Sequence, residues 1–176
     1  MRSLHPHVTS DGTFVLPQYH RAAPFASFLP GIAGESGIPM WVFYCNRGQA
    51  ITSCGVRNKD GAIIEFHPAN TAYQRVFTDG FRTFIWNGDH LYEPFRQADD
   101  HARQTLSVRP HEIELLEENP HEGLRTRVIY FTLPELPYCG LVRCVTLANT
   151  SRRTRRVRIA DGIARMVPGS VSEGLY

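Results

Sequence analysis

With 176 residues, 42% of them hydrophobic and 20% charged, and a formal net charge of +2, the chain is sized for one domain with a sizeable core. The basic excess is almost all arginine, Lys59 being the sole lysine, and it is not gathered into the strongly basic face that a nucleic-acid partner requires. No apolar run reaches the ~18 residues of a membrane-spanning helix, and "MRSLHPHVTSDGTFVL" lacks the apolar stretch of a signal peptide, so a cytoplasmic, membrane-free protein is the expectation.

Taken in chain order, residues 1–12 read as a flexible N-terminus, and Thr13–Leu16 opens the structured part behind the turn pair Asp11-Gly12. "SFLPGIAGESGIP" cannot be helical, because Pro30, Gly31, Gly34, Gly37 and Pro39 interrupt every candidate turn. Met40–Cys45 and Gln49–Val56 form a hairpin around the polar turn Asn46-Arg47-Gly48. Asp60-Gly61 supplies the positive φ of the next turn, answered by a strand over Ala62–Phe66. Asn87-Gly88, between the aromatic runs 81–86 and 90–95, is the strongest hairpin signal in the chain.

The segment 93–106, "EPFRQADDHARQTL", reads as either a short helix or a loop. Strands continue at 104–108, 112–118, 124–133 and 139–149, where alternating residues repeat with period two. The last strand is expected over Arg155–Ile159, with "SRRTRRVRIADG" as a solvated strand face. So many strands need a second layer to bury their apolar sides, which makes the fold all-β: an antiparallel β-sandwich with room for one short helix. A single sandwich domain is expected over 13–171, with 172–176 as a tail.

Little of this sequence carries recognisable catalytic chemistry. Cys45, Cys54, Cys139 and Cys144 lie in apolar runs without C-x-x-C spacing and read as buried free thiols. The eight histidines have no H-x-x-x-H or H-E-x-x-H spacing, so neither a metal nor another cofactor is expected. No G-x-S-x-G occurs, and the three glycines of "GIAGESG" precede a strand and not a helix N-terminus. Adjacent and alternating acids such as Glu112, Glu114 and Glu117-Glu118 read as a solvated edge. What remains is polar and aromatic residues inside apolar hairpins: Trp41, Tyr44, Arg47, Gln49, Tyr73, Arg82, Trp86 and Tyr92. Aromatic faces beside Arg and Gln suit a sugar, which offers an apolar C–H face and a rim of hydroxyls. The same residues are equally explained as strand formers, and as side chains that satisfy the carbonyls of a neighbouring loop.

The stretch "ASFLPGIAGESGIPMWVFYCNRGQAITSCGVRNKDGAIIEFHPANTAYQRVFTDGFRTF" (26–84) resembles the start of cellobiose phosphorylase-like proteins of glycoside hydrolase family 94 and their oligoglucan phosphorylase relatives. "YEPF" (92–95), "YFTLP" (130–134), "GLVRCVTLANTS" (140–151) and "ADGIARMVPGSV" (160–171) extend the resemblance over most of the chain. It implies an N-terminal galactose-mutarotase-like β-sandwich followed by an (α/α)6 barrel that carries the chemistry. That chemistry is inverting cleavage of a β-glucosidic bond by phosphate, with one carboxyl group as general acid. No helical hairpins follow in these 176 residues, so the barrel is expected to be missing from this chain, and no catalytic residue is carried over. The expected function is a non-catalytic sandwich with a packing, dimerisation or cleft-closing role. β-linked gluco-oligosaccharide and phosphate would be met through a missing or separate catalytic domain, and self-association is expected. The alternative is a stand-alone carbohydrate-binding module using Trp41, Tyr44, Arg47, Gln49 and Arg82. On the resemblance, Arg47 and Gln49 would brace the loop 29–39 or face a sugar site on the absent barrel or a neighbouring subunit.

Overall fold

The computed structural model describes residues 5–96 and 100–169. The strands are β1 (His7–Val8), β2 (Phe14–Pro17), β3 (Ala26–Pro30), β4 (Met40–Cys45), β5 (Ile51–Val56), β6 (Ala62–Ile64), β7 (Phe81–Asn87), β8 (His90–Tyr92), β9 (Arg103–Val108), β10 (Glu112–Asn119), β11 (Leu124–Thr132), β12 (Leu141–Asn149) and β13 (Val157–Ile163). Among the described residues one α-helix, α1 (Ala69–Arg75), interrupts them. No described helix is long and apolar enough to cross a membrane.

The strands form three antiparallel sheets: six strands in the order β1-β2-β9-β10-β11-β12, four in the order β3-β4-β5-β6, and three in the order β13-β7-β8. Period-two alternation decides which side chains face inward. Along β10, Ile113, Leu115, Glu117 and Asn119 are buried, and along β11 Leu124, Thr126, Val128, Tyr130 and Thr132 are buried. Leu16, Leu106, Ile113, Leu115, Val128 and Tyr130 of the six-stranded sheet pack on Leu29, Met40, Val42, Tyr44, Ile51 and Cys54 of the four-stranded one. Ile85 and Tyr92 of the three-stranded sheet join Leu124 in a smaller second cluster. The fold is therefore the expected all-β sandwich. On the outer face of the six-stranded sheet, Arg127 pairs with Glu114 at 2.8 Å and Arg125 with Glu118 at 2.7 Å, as a solvated face predicts.

Several boundaries differ from the sequence reading. Structure begins earlier, because His7 and Val8 pair with Val15 and Phe14. In the helix-or-loop segment 93–106 the described residues before Arg103 are loop and turn, and the strand expected over 104–108 is Arg103–Val108, which lies between β2 and β10, where pairing on both sides outweighs the helical propensity of its first residues. Residues 97–99 of that segment lie outside those described. The helix forms at "ANTAYQR", where Pro68 occupies the N-cap. The final strand runs to Ile163, four residues past its expected end. In the 57–61 turn the positive φ is at Arg57 (61°), not Gly61. Glycine is needed at 61 because a Cβ there would lie 2.2 Å from the Val56 carbonyl oxygen. At the β7–β8 hairpin, Asn87 pairs with His90, which leaves Gly88-Asp89 as the turn with φ of 65° at Gly88. Of the cysteines, only Cys45 and Cys54 are buried; Cys139 is half-buried and Cys144 exposed.

Glu117 is the main departure from a solvated acidic edge. It points into the sandwich, 1% exposed, where one carboxyl oxygen accepts from the Phe95 amide and from Gln104 Nε2 at 2.8 Å. Its other oxygen, like Gln104 Oε1, has no hydrogen-bond partner among the described residues. Burial pushes its pKa from 4.5 up to about 8. A carboxyl group whose pKa is raised by folding adds stability that is fully present below its unfolded value. That stability drains away as pH rises through the folded value. The stability difference between Glu117→Gln and the native chain, from urea unfolding, should therefore shift in favour of the glutamine variant between pH 5 and pH 8 and level off above. A difference that is flat across that range would contradict a buried, neutral Glu117.

Candidate functional site

The polar tetrad Asn46-Arg47-Gly48-Gln49 sits where β4 turns back into β5, and each of its members is engaged within the chain. The Asn46 side chain accepts from the Phe25 amide at 2.9 Å and donates to the Tyr19 and Ala23 carbonyls at 3.1 and 3.0 Å. Arg47 donates to the carbonyls of Asn46 at 2.7 Å, Ala22 at 3.0 Å and Tyr19 at 3.3 Å. The Tyr19 hydroxyl donates to the Gly48 carbonyl. These bonds supply donors and acceptors to a folded-in segment, 19–25, that lacks a ladder of its own. Arg47 thus braces that segment and not the loop 29–39.

Gln49 belongs to a second network. Its Nε2 donates to Thr83 Oγ1 at 3.1 Å, and its Oε1 accepts from Arg143 Nη2. Thr83 donates to Asp161 Oδ1 at 2.6 Å, while Arg143 ion-pairs with Asp161 Oδ2 and reaches the Tyr130 hydroxyl from Nε at 3.1 Å. The Arg143 side chain is 7% exposed and also lies over the Phe81 ring, 5.1 Å from its centroid. Gln49, Arg143 and the Thr83–Asp161 pair come from the four-, six- and three-stranded parts of the fold, so the network ties all three together.

The other sequence candidates fall elsewhere. Tyr44 is in the main core, edge-on to Phe25. Arg82 forms a bidentate pair with Glu93 at 2.7 and 2.8 Å and lies 4.6 Å from the Phe84 centroid, on the outer face of the three-stranded sheet. Tyr92 is in the second cluster. The five proposed sugar contacts therefore do not converge on one site. Cys45 and Cys54 offer no nucleophile, since burial pushes their thiols up to about 12 and about 11. No group of three or more His, Cys, Asp or Glu able to hold a metal occurs among the described residues.

Trp41 lines a pocket. It stands on the outer face of the four-stranded sheet, edge-on to Phe28 and Phe66, with each centroid 6.1 Å away. Phe43 packs against two of these rings, 4.9 Å from Phe28 and 5.0 Å from Phe66. Phe28, Trp41, Asn58, Lys59 and Phe66 line an open hollow of about 310 Å³. The indole is held in place from two directions. Its Nε1 donates to the Asn58 carbonyl at 2.9 Å, and it lies over Gly55, its cross-strand partner, where a Cβ would meet the ring at 2.4 Å. Phe28 and Phe66 nevertheless remain 51% and 41% exposed. Sequence reasoning found Trp41 and missed both of these. Phe28 had a signal, since it alternates outward along β3 and pairs with Phe43. Phe66 lies beyond the end of β6 and had none.

The chemistry of the two places differs. The Gln49–Arg143 network has its donors and acceptors bound to one another and serves to hold sheets together. The aromatic pocket presents apolar surface to solvent beside one amide and one ammonium group, which is the composition of a small-molecule or packing site. Asp161→Asn, which removes the charge opposite a nearly buried guanidinium, should lower stability in urea by about 1.5–3 kcal/mol while leaving the aromatic pocket unchanged. No protein-family model matches this chain, and no curated protein matches it.

Proposed function

We propose that this chain is a non-catalytic β-sandwich module of a glycoside-phosphorylase-like protein and that its Phe28–Trp41–Phe66 face receives the glucosyl rings of β-linked oligosaccharides. The observation that carries the reading is the pocket itself: an aromatic-walled hollow of about 310 Å³, its indole fixed by Asn58 and Gly55. A pyranose ring buries its C–H face on such walls, and the hydroxyl rim finds donors at Asn58 and Lys59. The sequence resemblance to cellobiose phosphorylase-like proteins supports β-glucosides as the class. Phosphate and the bond-breaking step belong, on this reading, to a catalytic domain and not to these residues.

A second reading rests on the exposure of Phe28 and Phe66, which suits a face that packs against another domain. Trp41 and Trp86 are the two tryptophans, so Trp86→Phe leaves the pocket indole as the only strong fluorophore. Titrating that variant with cellobiose, laminaribiose and sophorose should give a saturable change in emission with one linkage preferred, and adding Phe66→Ala should abolish it. Unchanged emission up to solubility-limited sugar would reject recognition and leave the packing face.

A further inference from the structure

We infer that Glu117 and Gln104 form a buried acid–amide pair, in which the proton on Glu117 Oε1 is donated to Gln104 Oε1. Keeping or losing that one proton locks or releases the Gln104 side chain, a pH-operated device inside the sandwich. Burial alone makes Glu117 neutral; the geometry gives where its proton is held and what its loss moves.

Glu117 on β10 and Gln104 on β9 stand directly opposite in register, and both are 1% exposed. Gln104 Nε2 donates to Glu117 Oε2 at 2.8 Å. The same nitrogen donates to the Arg96 carbonyl at 3.2 Å, so a flipped amide would set oxygen against oxygen at both places. The carboxyl group is oriented in a similar way, because its Oε2 already accepts from the Phe95 amide as well as from Gln104. That leaves Glu117 Oε1 and Gln104 Oε1, one on each partner, as buried oxygens with no hydrogen-bond partner among the described residues. With an ionised carboxylate both are acceptors, and each carries the desolvation cost of an unmade bond. A proton on Glu117 Oε1 turns that oxygen into a donor and satisfies both atoms at once. Each orphan is bonded to the carbon that carries one end of the 2.8 Å bond, so the second bond closes the two planar groups into a ring.

The surroundings hold the pair neutral. On β11, Glu117 is in register with Thr126, which is uncharged and buried. From the folded-in segment 19–25 the titratable group is Tyr19, whose pKa is pushed up by burial first and by Glu117 second, and whose hydroxyl donates to the Gly48 carbonyl. Arg47, whose charge also reaches Tyr19, is bound to the carbonyls of Tyr19, Ala22 and Asn46. Loss of the proton leaves two oxygens facing each other. The Phe95 amide then binds a charged acceptor more strongly, so the group that yields is the Gln104 amide. Turning it away breaks its bond to the Arg96 carbonyl, while the Gln104 backbone stays bonded to the Gln18 amide at 2.6 Å. The change is therefore local, and with the Glu117 pKa at about 8 it falls just above neutral pH.

The test is NMR spectroscopy of the full chain across the pH range around that value. Below the transition, the native chain should show one exchange-protected, downfield carboxyl proton with an Overhauser contact to the Gln104 side-chain amide protons. As pH rises, that proton should disappear and the Gln104 side-chain amide signals should shift together, with a midpoint of about 8. Backbone amide signals of Thr105 and Leu106, further along β9, should stay close to their positions, as a local release requires. Glu117→Gln can make the same two bonds to Gln104 without titrating, so in that variant the Gln104 signals should hold still over the whole range. Three results would each overturn the inference: a native chain without the carboxyl proton below the transition, a contact from that proton to water in place of Gln104, or Gln104 signals that move equally in both chains. The first two are read on the unaltered chain and do not depend on the variant folding.

Discussion

The guanidinium of Arg143 bonds to Gln49 from the β4–β5 turn, to Thr83 on β7 and to Asp161 on β13, and its Nε reaches the Tyr130 hydroxyl on β11. The fold depends on this constraint, because its strands form three sheets and not one continuous layer. Apolar burial brings the sheets together but fixes neither their tilt nor their register, being non-directional. A planar group with five directed donors supplies that geometry. A nearly buried cation is tolerable only when paired and saturated with hydrogen bonds, and Asp161 and Gln49 meet that condition. The Asn46–Arg47 knot does the same for the segment 19–25, whose carbonyls would otherwise be buried without donors.

This accounts for which parts of the molecule were readable from sequence. β10 and β11 were legible because one face is core and the other solvent, so the alternation is written in the residues themselves. The β4–β5 hairpin was legible for its dense apolar run around a polar turn. Arg143 was not, since its partner Gln49 is 94 positions away and nothing local distinguishes it from a surface arginine. Glu117 was misread for a related reason: Glu-Glu looks solvated, yet on a strand the two neighbours point to opposite faces, one outward to Arg125 and one inward to Phe95 and Gln104. Residues 104–106 belonged to two overlapping readings, a helix or loop over 93–106 and a strand over 104–108, and pairing from both sides, a tertiary effect, favours the strand.

The same logic redraws the candidate site. Arg47 and Gln49 stood out because a simple turn does not need them, and their role proves to be internal. Arg82 is bound to Glu93, and Tyr44 is core. Once these are assigned, what distinguishes the surface is aromatic: Phe28, Trp41 and Phe66, gathered on the outer side of the four-stranded sheet by the β3–β4 pairing and the chain's exit from β6. Of its three aromatic residues, Trp41 was legible in the sequence; Phe28 and Phe66 were brought beside it by folding. The proposed binding or packing role rests on the internal engagement of the conspicuous polar groups and the exposure of the aromatic ones.

The most direct measurement is a double-mutant cycle between Gln49→Ala and Arg143→Met, read by urea unfolding. If the Arg143 network holds the sheets in place, each single variant is destabilised and the two effects are non-additive by about 0.5–3 kcal/mol. Strict additivity would mean that the two side chains do not sense one another in the folded protein, and the structural reading of Gln49 would fall with it.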